Sequence, residues 1–298
     1  MTSISQNEIV SIRFLQIGKA HIKNEIGFNL IAKEANAIID KEYNPNILYD
    51  LVWIPTGFYH SSQIPNAKKL LFGPHNFVFP NEPWTLDIRF ENSTYTCLSP
   101  WVKELYSNFK PLCMPVKAIP FPVEIERFKP DNTDKTLNCF VYYKGRDKKI
   151  YNYINQYLEE NNISFVNIIC GKYKEEEYIE ILQKVKFGIW VGCHESQGFA
   201  LEEALSMNVP LLVLNVKTIH DEVNSEGSHS YIEYKDNYDL KATSISYWDE
   251  RCGEVIYDLN ELKPTLEKIQ TRSYNPREFI LENLSPKVCY ERLLQQCF

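Results

Sequence analysis

The sequence predicts an α/β fold made of two successive parallel-sheet units, and three observations carry that expectation. Short apolar runs alternate with longer stretches of helical periodicity, the pattern left by parallel strands joined through crossover helices. A proline-rich segment near residue 120 interrupts the alternation, which then restarts. Finally, 298 residues with 44% hydrophobic and 24% charged side chains hold enough core for two domains of ordinary size. That balance excludes wholesale disorder, a collagen-like chain and a disulfide-stapled scaffold.

Taken in order, residues 12–17 (IRFLQI) read as the first strand, followed by Gly18 and a polar loop to Gly27. A helix is expected over 28–40, where Leu30, Ile31, Ala35, Ile38 and Ile39 share a side. Strands are expected at 48–54, 69–72, 95–98 and 116–119. Between the last two, a helix over 100–109 opens with Ser99 as cap and Pro100 as its first residue. Residues 119–130 (IPFPVEIERFKP) carry Pro120, Pro122 and Pro130, which stiffen a connector and prevent long regular structure. Beyond it, strands are expected at 137–143, 164–169, 187–191 and 210–214, separated by helices at 149–161, 174–185 and 199–207. The tail from 263 to 298 reads as mostly helical, broken at Asn275-Pro276.

The net charge of -7 and pI near 5.5 set up a field that repels nucleic acid and anionic membranes, so neither is an expected partner. The opening residues MTSISQNEIV lack the basic and apolar regions of a secretory signal, and no apolar run is long enough to span a bilayer. A cytoplasmic location is expected. Eight cysteines without a Cys-x-x-Cys pair fit free thiols in a reducing compartment, and His194 beside Cys193 lacks partners at zinc-ligand spacing, so no metal site is expected.

One segment stands out chemically. Residues 192–213, GCHESQGFALEEALSMNVPLLV, join a strand to a helix through a loop bearing Glu195, Ser196 and Gly198, with Glu203 inside the helix. The first amides of such a helix, together with its dipole, attract an anion. Carboxylates on either side suit hydroxyls, because a carboxylate accepts two at once. Phosphate donors flanked by hydroxyl acceptors are what a sugar nucleotide needs. Two glutamates at arbitrary positions would more often mark a solvated helix face. The composite of apolar strand, Glu-Ser-x-Gly, Glu-Ala-Leu whose glutamate follows Glu195 after seven intervening residues, Asn-Val-Pro and second apolar strand is far more specific.

That composite resembles the signature of retaining glycosyltransferases of the GT-B fold, in particular the large family four (glycosyl transferases group 1). Pro122-Val123-Glu124 with Phe128 and Pro130 resembles the family's interdomain connector. Tyr143-Lys144-Gly145-Arg146 resembles the turn that opens its nucleotide-binding domain, and Gly171-Lys172-Tyr173 fits the family's Gly-x-Tyr. The resemblance implies two Rossmann-like domains facing a cleft. An N-terminal acceptor-binding domain would span 1–120, shortened for this fold, and a nucleotide-sugar-binding domain 121–298, whose last helix packs back on the first.

Roles follow from the resemblance by position. Glu203 would hold the ribose hydroxyls. Glu195 would contact the transferred sugar, with backbone amides of Gly198, Phe199 and Ala200 near sugar or phosphate and Gly171 beside the nucleotide. Lys144, Arg146 and Lys148 form a basic turn that would neutralise the diphosphate leaving group, with the bidentate geometry of arginine favouring Arg146. The loop bounded by Gly18 and Gly27 would face the donor phosphates, and His75 the reacting sugar. Gln197 stands where phenylalanine or glycine is common, which would alter sugar contacts. The implied activity moves a sugar from a nucleotide-diphosphate sugar to a hydroxyl of a glycan or other acceptor, with retention and without a metal or other cofactor. Two alternatives remain open at this level: a sugar-nucleotide epimerase on the same fold, and a catalytically silent subunit that binds nucleotide sugars or glycans.

Overall fold

The computed structural model describes residues 11–55, 65–74, 92–109, 114–222 and 241–298. Its first half contains β1 (Arg13–Gln16), α1 (Ile22–Glu34), β2 (Ile38–Asp40), β3 (Tyr49–Ile54), β4 (Ala67–Phe72), β5 (Ser93–Cys97), α2 (Pro100–Phe109) and β6 (Val116–Ala118). The second holds β7 (Leu137–Tyr143), α3 (Lys148–Glu160), β8 (Phe165–Ile169), α4 (Glu175–Lys184), β9 (Val185–Val191), α5 (Phe199–Ser206), β10 (Leu211–Leu214) and β11 (Gly253–Ile256). Helices α6 (Leu262–Thr271), α7 (Pro276–Asn283) and α8 (Pro286–Cys297) follow to the end of the chain.

Two parallel sheets result, ordered β2-β1-β3-β4-β5-β6 and β11-β10-β9-β7-β8. The first five strands of each half therefore follow the same order, 2-1-3-4-5, in which the chain reverses direction between the first and third strands. Ligands of open parallel sheets bind outside the carboxyl ends at that reversal. It lies between β1 and β3 in one sheet and between β7 and β9 in the other. The central strands are apolar on both faces, as sheets covered on both sides require: Leu51, Val52, Trp53 and Ile54 in β3, and Ile189, Trp190 and Val191 in β9, are all buried.

The expected α/β class and the alternation of elements are what the chain adopts, with two differences. The first helix starts at Ile22, not Phe28, and 38–40 is edge strand β2. Asn24, Gly27, Phe28, Ile31 and Ala32 form the buried stripe of α1, a helical spacing that begins before Phe28. Gly27 consequently lies within the helix and not in a loop. A Cβ there would overlap the Phe121 side chain, so its missing side chain serves packing. The second difference is an additional strand, β11, which pairs with β10 from Leu211 opposite Gly253 to Leu214 opposite Ile256. Gly253 has φ +136, and any side chain there would overlap the backbone of Leu211.

The first part of the proline-rich connector is buried. Residues 119–123 are all enclosed and run between the two sheets. Phe121 meets Trp53 edge-on with ring centroids 5.4 Å apart, and Trp53 packs on Phe28 at 4.4 Å. The Val123 amide donates to the Leu284 carbonyl at 3.0 Å. In the tail, α7 packs on α5 and α8 packs on α1, so both halves are tied to the C-terminal helices. Each described cysteine is a free thiol; Cys170 is exposed and the others are buried.

Gly27→Ala is expected to lower stability by about 1–3 kcal/mol through overpacking against Phe121, read as a fall in the urea midpoint with an unchanged slope.

Candidate functional site

The carboxyl ends of β7 and β9 build the centre of the site. After β7 the chain turns through Lys144 and Gly145, the latter at φ 61. After β9 it runs through 192–198 into α5. The Lys144 ammonium bonds Glu195 Oε1 at 2.6 Å, joining the two strand ends across the reversal point. Burial works to lower the pKa of Lys144, but the Glu195 carboxylate more than offsets it and holds the ammonium above its ordinary value.

The backbone of Glu195 is anchored from both halves. Its carbonyl accepts from Trp101 Nε1 on α2 at 3.0 Å and from Ser246 Oγ at 2.8 Å, and its amide donates to the Thr243 carbonyl at 3.0 Å. Close by, the Tyr247 hydroxyl donates to the Leu98 carbonyl at 2.8 Å, a second tie between the segment after residue 240 and the first sheet.

Gly198 caps α5 at φ +97. An added Cβ would make only ordinary contacts, the nearest being 3.5 Å from Glu195, so the conformation and not space demands glycine. The cap leaves the first α5 amides without intrahelical partners beside Glu195. One turn further, Glu203 is buried and meets Lys23 from α1, Nζ to Oε1 at 2.5 Å; the same ammonium also bonds Glu175 of α4. Burial pushes the Glu203 carboxyl up, to about 7, against the opposing pull of Lys23. Arg127 of the connector reaches Glu175 at 2.6 Å, extending this network along the join between the halves.

His21, the cap of α1, accepts from the Lys23 amide through Nδ1 at 3.3 Å. Desolvation, then the Lys23 and Lys144 ammonium groups, hold its imidazole below the ordinary value. Gly18, at φ 89, turns the chain out of β1 just before this cap. Glu195, Lys144, Gly198, Phe199, Ala200, Glu203 and Gly18 thus gather at the facing strand ends. Gly171, at φ +74 with open space beside it, ends β8 on the same edge.

Other expected residues lie elsewhere. Arg146 is only 5% exposed, and its Nη1 donates to the carbonyls of Gly192 at 3.1 Å and Leu214 at 3.0 Å. Of the three basic residues expected to neutralise a diphosphate, Arg146 is the one whose guanidinium is enclosed, tying the ends of β9 and β10 together. Desolvation lowers its pKa, opposed by Asp221 and Glu222. Lys148 is exposed on the first turn of α3. Gly27 is in α1, as described. His75 lies outside the described residues. Gln197 faces the connector and not a sugar: its Nε2 donates to the Phe121 carbonyl at 2.6 Å and its Oε1 accepts from the Phe121 amide at 3.0 Å. The same Nε2 bonds the buried Glu202 carboxylate at 2.8 Å.

Sequence reasoning passed over Lys23, Trp101 and the pair formed by His194 and Glu222, in which Glu222 Oε1 accepts from the His194 amide at 2.5 Å and Oε2 faces Nδ1 at 2.7 Å. Beginning α1 at its true cap would have placed Lys23 on a first turn at a strand end; nothing local marks the other three. Among the described residues no group of three or more His, Cys, Asp or Glu side chains is arranged to hold a metal ion, and no helix is long and apolar enough to cross a membrane.

No family model and no curated protein matches the chain by sequence. Solved structures do. Over 95% of this chain and 98% of the other, a sucrose-phosphate synthase from Thermosynechococcus elongatus is similar with a TM-score of 0.56 at 12% identity. The lipopolysaccharide outer core galactosyltransferase WaaB in its apo form matches over the same shares with a TM-score of 0.53 at 10% identity. A chain of the GtfA/B complex matches with a TM-score of 0.51 at 13% identity, over 92% of this chain and 60% of that one. The fold is therefore GT-B, with two Rossmann-like units each built on a parallel sheet.

Two outcomes test the site's electrostatics and framework. Glu203 keeps its proton up to about pH 7 when folded but has an ordinary value of 4.5, so the folded chain binds more protons between these limits and stability falls as pH rises through them. Urea unfolding at pH 5 and pH 7.5 should show that loss, and Glu203→Gln should flatten it. Arg146→Ala, leaving two strand-end carbonyls without a charged donor, should cost about 2–4 kcal/mol in the same measurement.

Proposed function

We propose that this protein transfers a glycosyl group from a nucleotide-diphosphate sugar to a hydroxyl acceptor, in the manner of the retaining family-four transferases its 192–213 segment resembles. The observation that carries the reading is the placement of Glu195 and Glu203 on either side of the α5 N-terminus, at the strand reversal of the second sheet, with Lys144 against Glu195.

Glu203 accepts the ribose hydroxyls of the donor, and Glu195 accepts hydroxyls of the transferred sugar. The free amides of Gly198, Phe199 and Ala200 face sugar and phosphate, where they and the helix dipole stabilise negative charge. As the bond to the diphosphate breaks, charge grows on the leaving oxygen; an ammonium already placed at Lys144 stabilises it without reorganisation. Lysines, not a divalent cation, meet the diphosphate in this reading, and Lys148 adds positive potential from the start of α3. Gly171 borders the nucleotide, and the turn at Gly18 brings the first half's backbone toward the phosphates. The acceptor enters from the side of the first sheet, within 1–120, and His75 is assigned there to the reacting sugar. The configuration of the transferred sugar is retained. Thermodynamically a silent binder would share these contacts, so transfer itself is the distinguishing measurement.

A thermal-shift screen against UDP-, GDP-, ADP- and dTDP-sugars should give a rise in melting temperature for one nucleotide class. Glu203→Ala should weaken that donor by about tenfold or more, since a hydrogen bond to a charged group contributes roughly 1.5–3 kcal/mol. Free nucleotide and a glycosylated acceptor should then appear together; unchanged donor affinity in the variant would remove Glu203 from its role.

A further inference from the structure

Lys23 is the least expected member of the site. It belongs to the first half, on the first turn of α1, yet its ammonium rests on two carboxylates of the second half, Glu203 and Glu175, and lies 5.3 Å from the centre of the Phe128 ring. Its partner Glu203 is buried, so Lys23 covers, from the first half, a carboxylate that the second half otherwise encloses. Across the gap, Lys144 is likewise committed to a glutamate. His21, the α1 cap, accepts from the Lys23 amide, and both ammonium groups help hold its imidazole below the ordinary value.

This arrangement holds two positive charges that would suit a diphosphate, and each is occupied by a carboxylate that would suit a sugar hydroxyl. A nucleotide sugar carries both complements. Its ribose can replace the lysine N–H at Glu203 with hydroxyl donors, and its diphosphate can take the ammonium set free. Lysine is suited to such an exchange because its ammonium is a point charge on a flexible four-carbon stem with no fixed donor geometry. Neither half of the exchange is favourable alone. A ribose that displaces Lys23 without supplying phosphate leaves the ammonium with Glu175 alone, and a phosphate that draws Lys23 away without a ribose strands a buried carboxylate.

Resting on the transferase reading above, we propose that Lys23 is a donor-exchange residue: parked on Glu203 in the free protein, it moves to the diphosphate when the ribose takes its place. The first half thereby contributes a charged contact to the donor, and the site selects intact nucleoside diphosphates over nucleosides. Lys23 acts as a specificity-determining binding residue, distinct from the Lys144 that stays within the second half.

The test uses the nucleoside diphosphate that the wild-type protein binds, among UDP, GDP, ADP and dTDP, together with its parent nucleoside. Calorimetric titration of Lys23→Gln should show the diphosphate weakened by about tenfold, the size of a lost charge-assisted contact, while the nucleoside binds as well or more tightly. Lys23→Arg, which keeps the charge, should restore most of the preference. Equal changes for both ligands, or an unaltered diphosphate affinity, would overturn the exchange and leave the transferase reading standing. Wild-type protein that binds no nucleoside diphosphate would overturn both. A crystal structure of wild-type protein with the diphosphate bound tests the exchange without a variant: Lys23 should be on a phosphate oxygen, and Lys23 still on Glu203 would refute it.

Discussion

Phe121 sits where the two halves of this protein are fastened together, and the rest of the arrangement depends on its burial. Its ring packs on Trp53 and on the bare face of Gly27, while its backbone amide and carbonyl are both bonded by Gln197. A buried extended segment cannot leave these groups unpaired without losing about 1–3 kcal/mol for each. Gln197 satisfies both from the loop that also carries Glu195. The connector and the site loop are therefore one unit: the residue that secures the join lies two positions from a carboxylate of the site.

The site itself is a consequence of strand order. Both sheets reverse at the same place in their sequence of strands, and Lys23, just after β1, bonds Glu203 of α5, just after β9. Lys144 and Glu195 come from the two strands flanking the reversal in the second sheet; Gly18, His21 and Lys23 follow the corresponding strand of the first. Each lysine is paired with a glutamate, Lys144 with Glu195 and Lys23 with Glu203, the second pair becoming fully ionic only above the raised value of the Glu203 carboxyl, about 7. Arg146, below, serves the framework by holding the ends of β9 and β10, and this division of labour separates two cations only two residues apart.

The ties near Trp101, Ser246 and Tyr247 reinforce the same geometry from the opposite side. Trp101 lies on α2 of the first half, yet its indole N–H ends on the carbonyl of Glu195. Because Glu195 is bonded through its carbonyl, its amide and its side chain, its position reports on both halves at once. Residues that fix such a group act on it through geometry, so small displacements of them move its carboxylate.

Much of this was legible in the sequence. Periodicity and turn residues located the strands from β3 to β10, the helices α2 to α5 and the break at Asn275-Pro276, because apolar strands and capped helices leave local patterns. The Glu195, Gly198 and Glu203 corner was legible for the same reason: one loop and one helix suffice to bring them together. Edge strand β2 was hidden because Ile38 and Ile39 continue the apolar spacing of α1, and β11 because its four residues, GEVI, include a glycine and a glutamate. Contacts between segments far apart in the chain were decided only by the tertiary structure. No local pattern tells that Gly27 makes room for Phe121, that Gln197 faces backbone in place of sugar, or that Arg146 is enclosed while Lys144 is presented. The charge on Lys23 is written in the sequence, but its partners stand 152 and 180 residues away, and only packing of the two sheets brings them within reach of its ammonium.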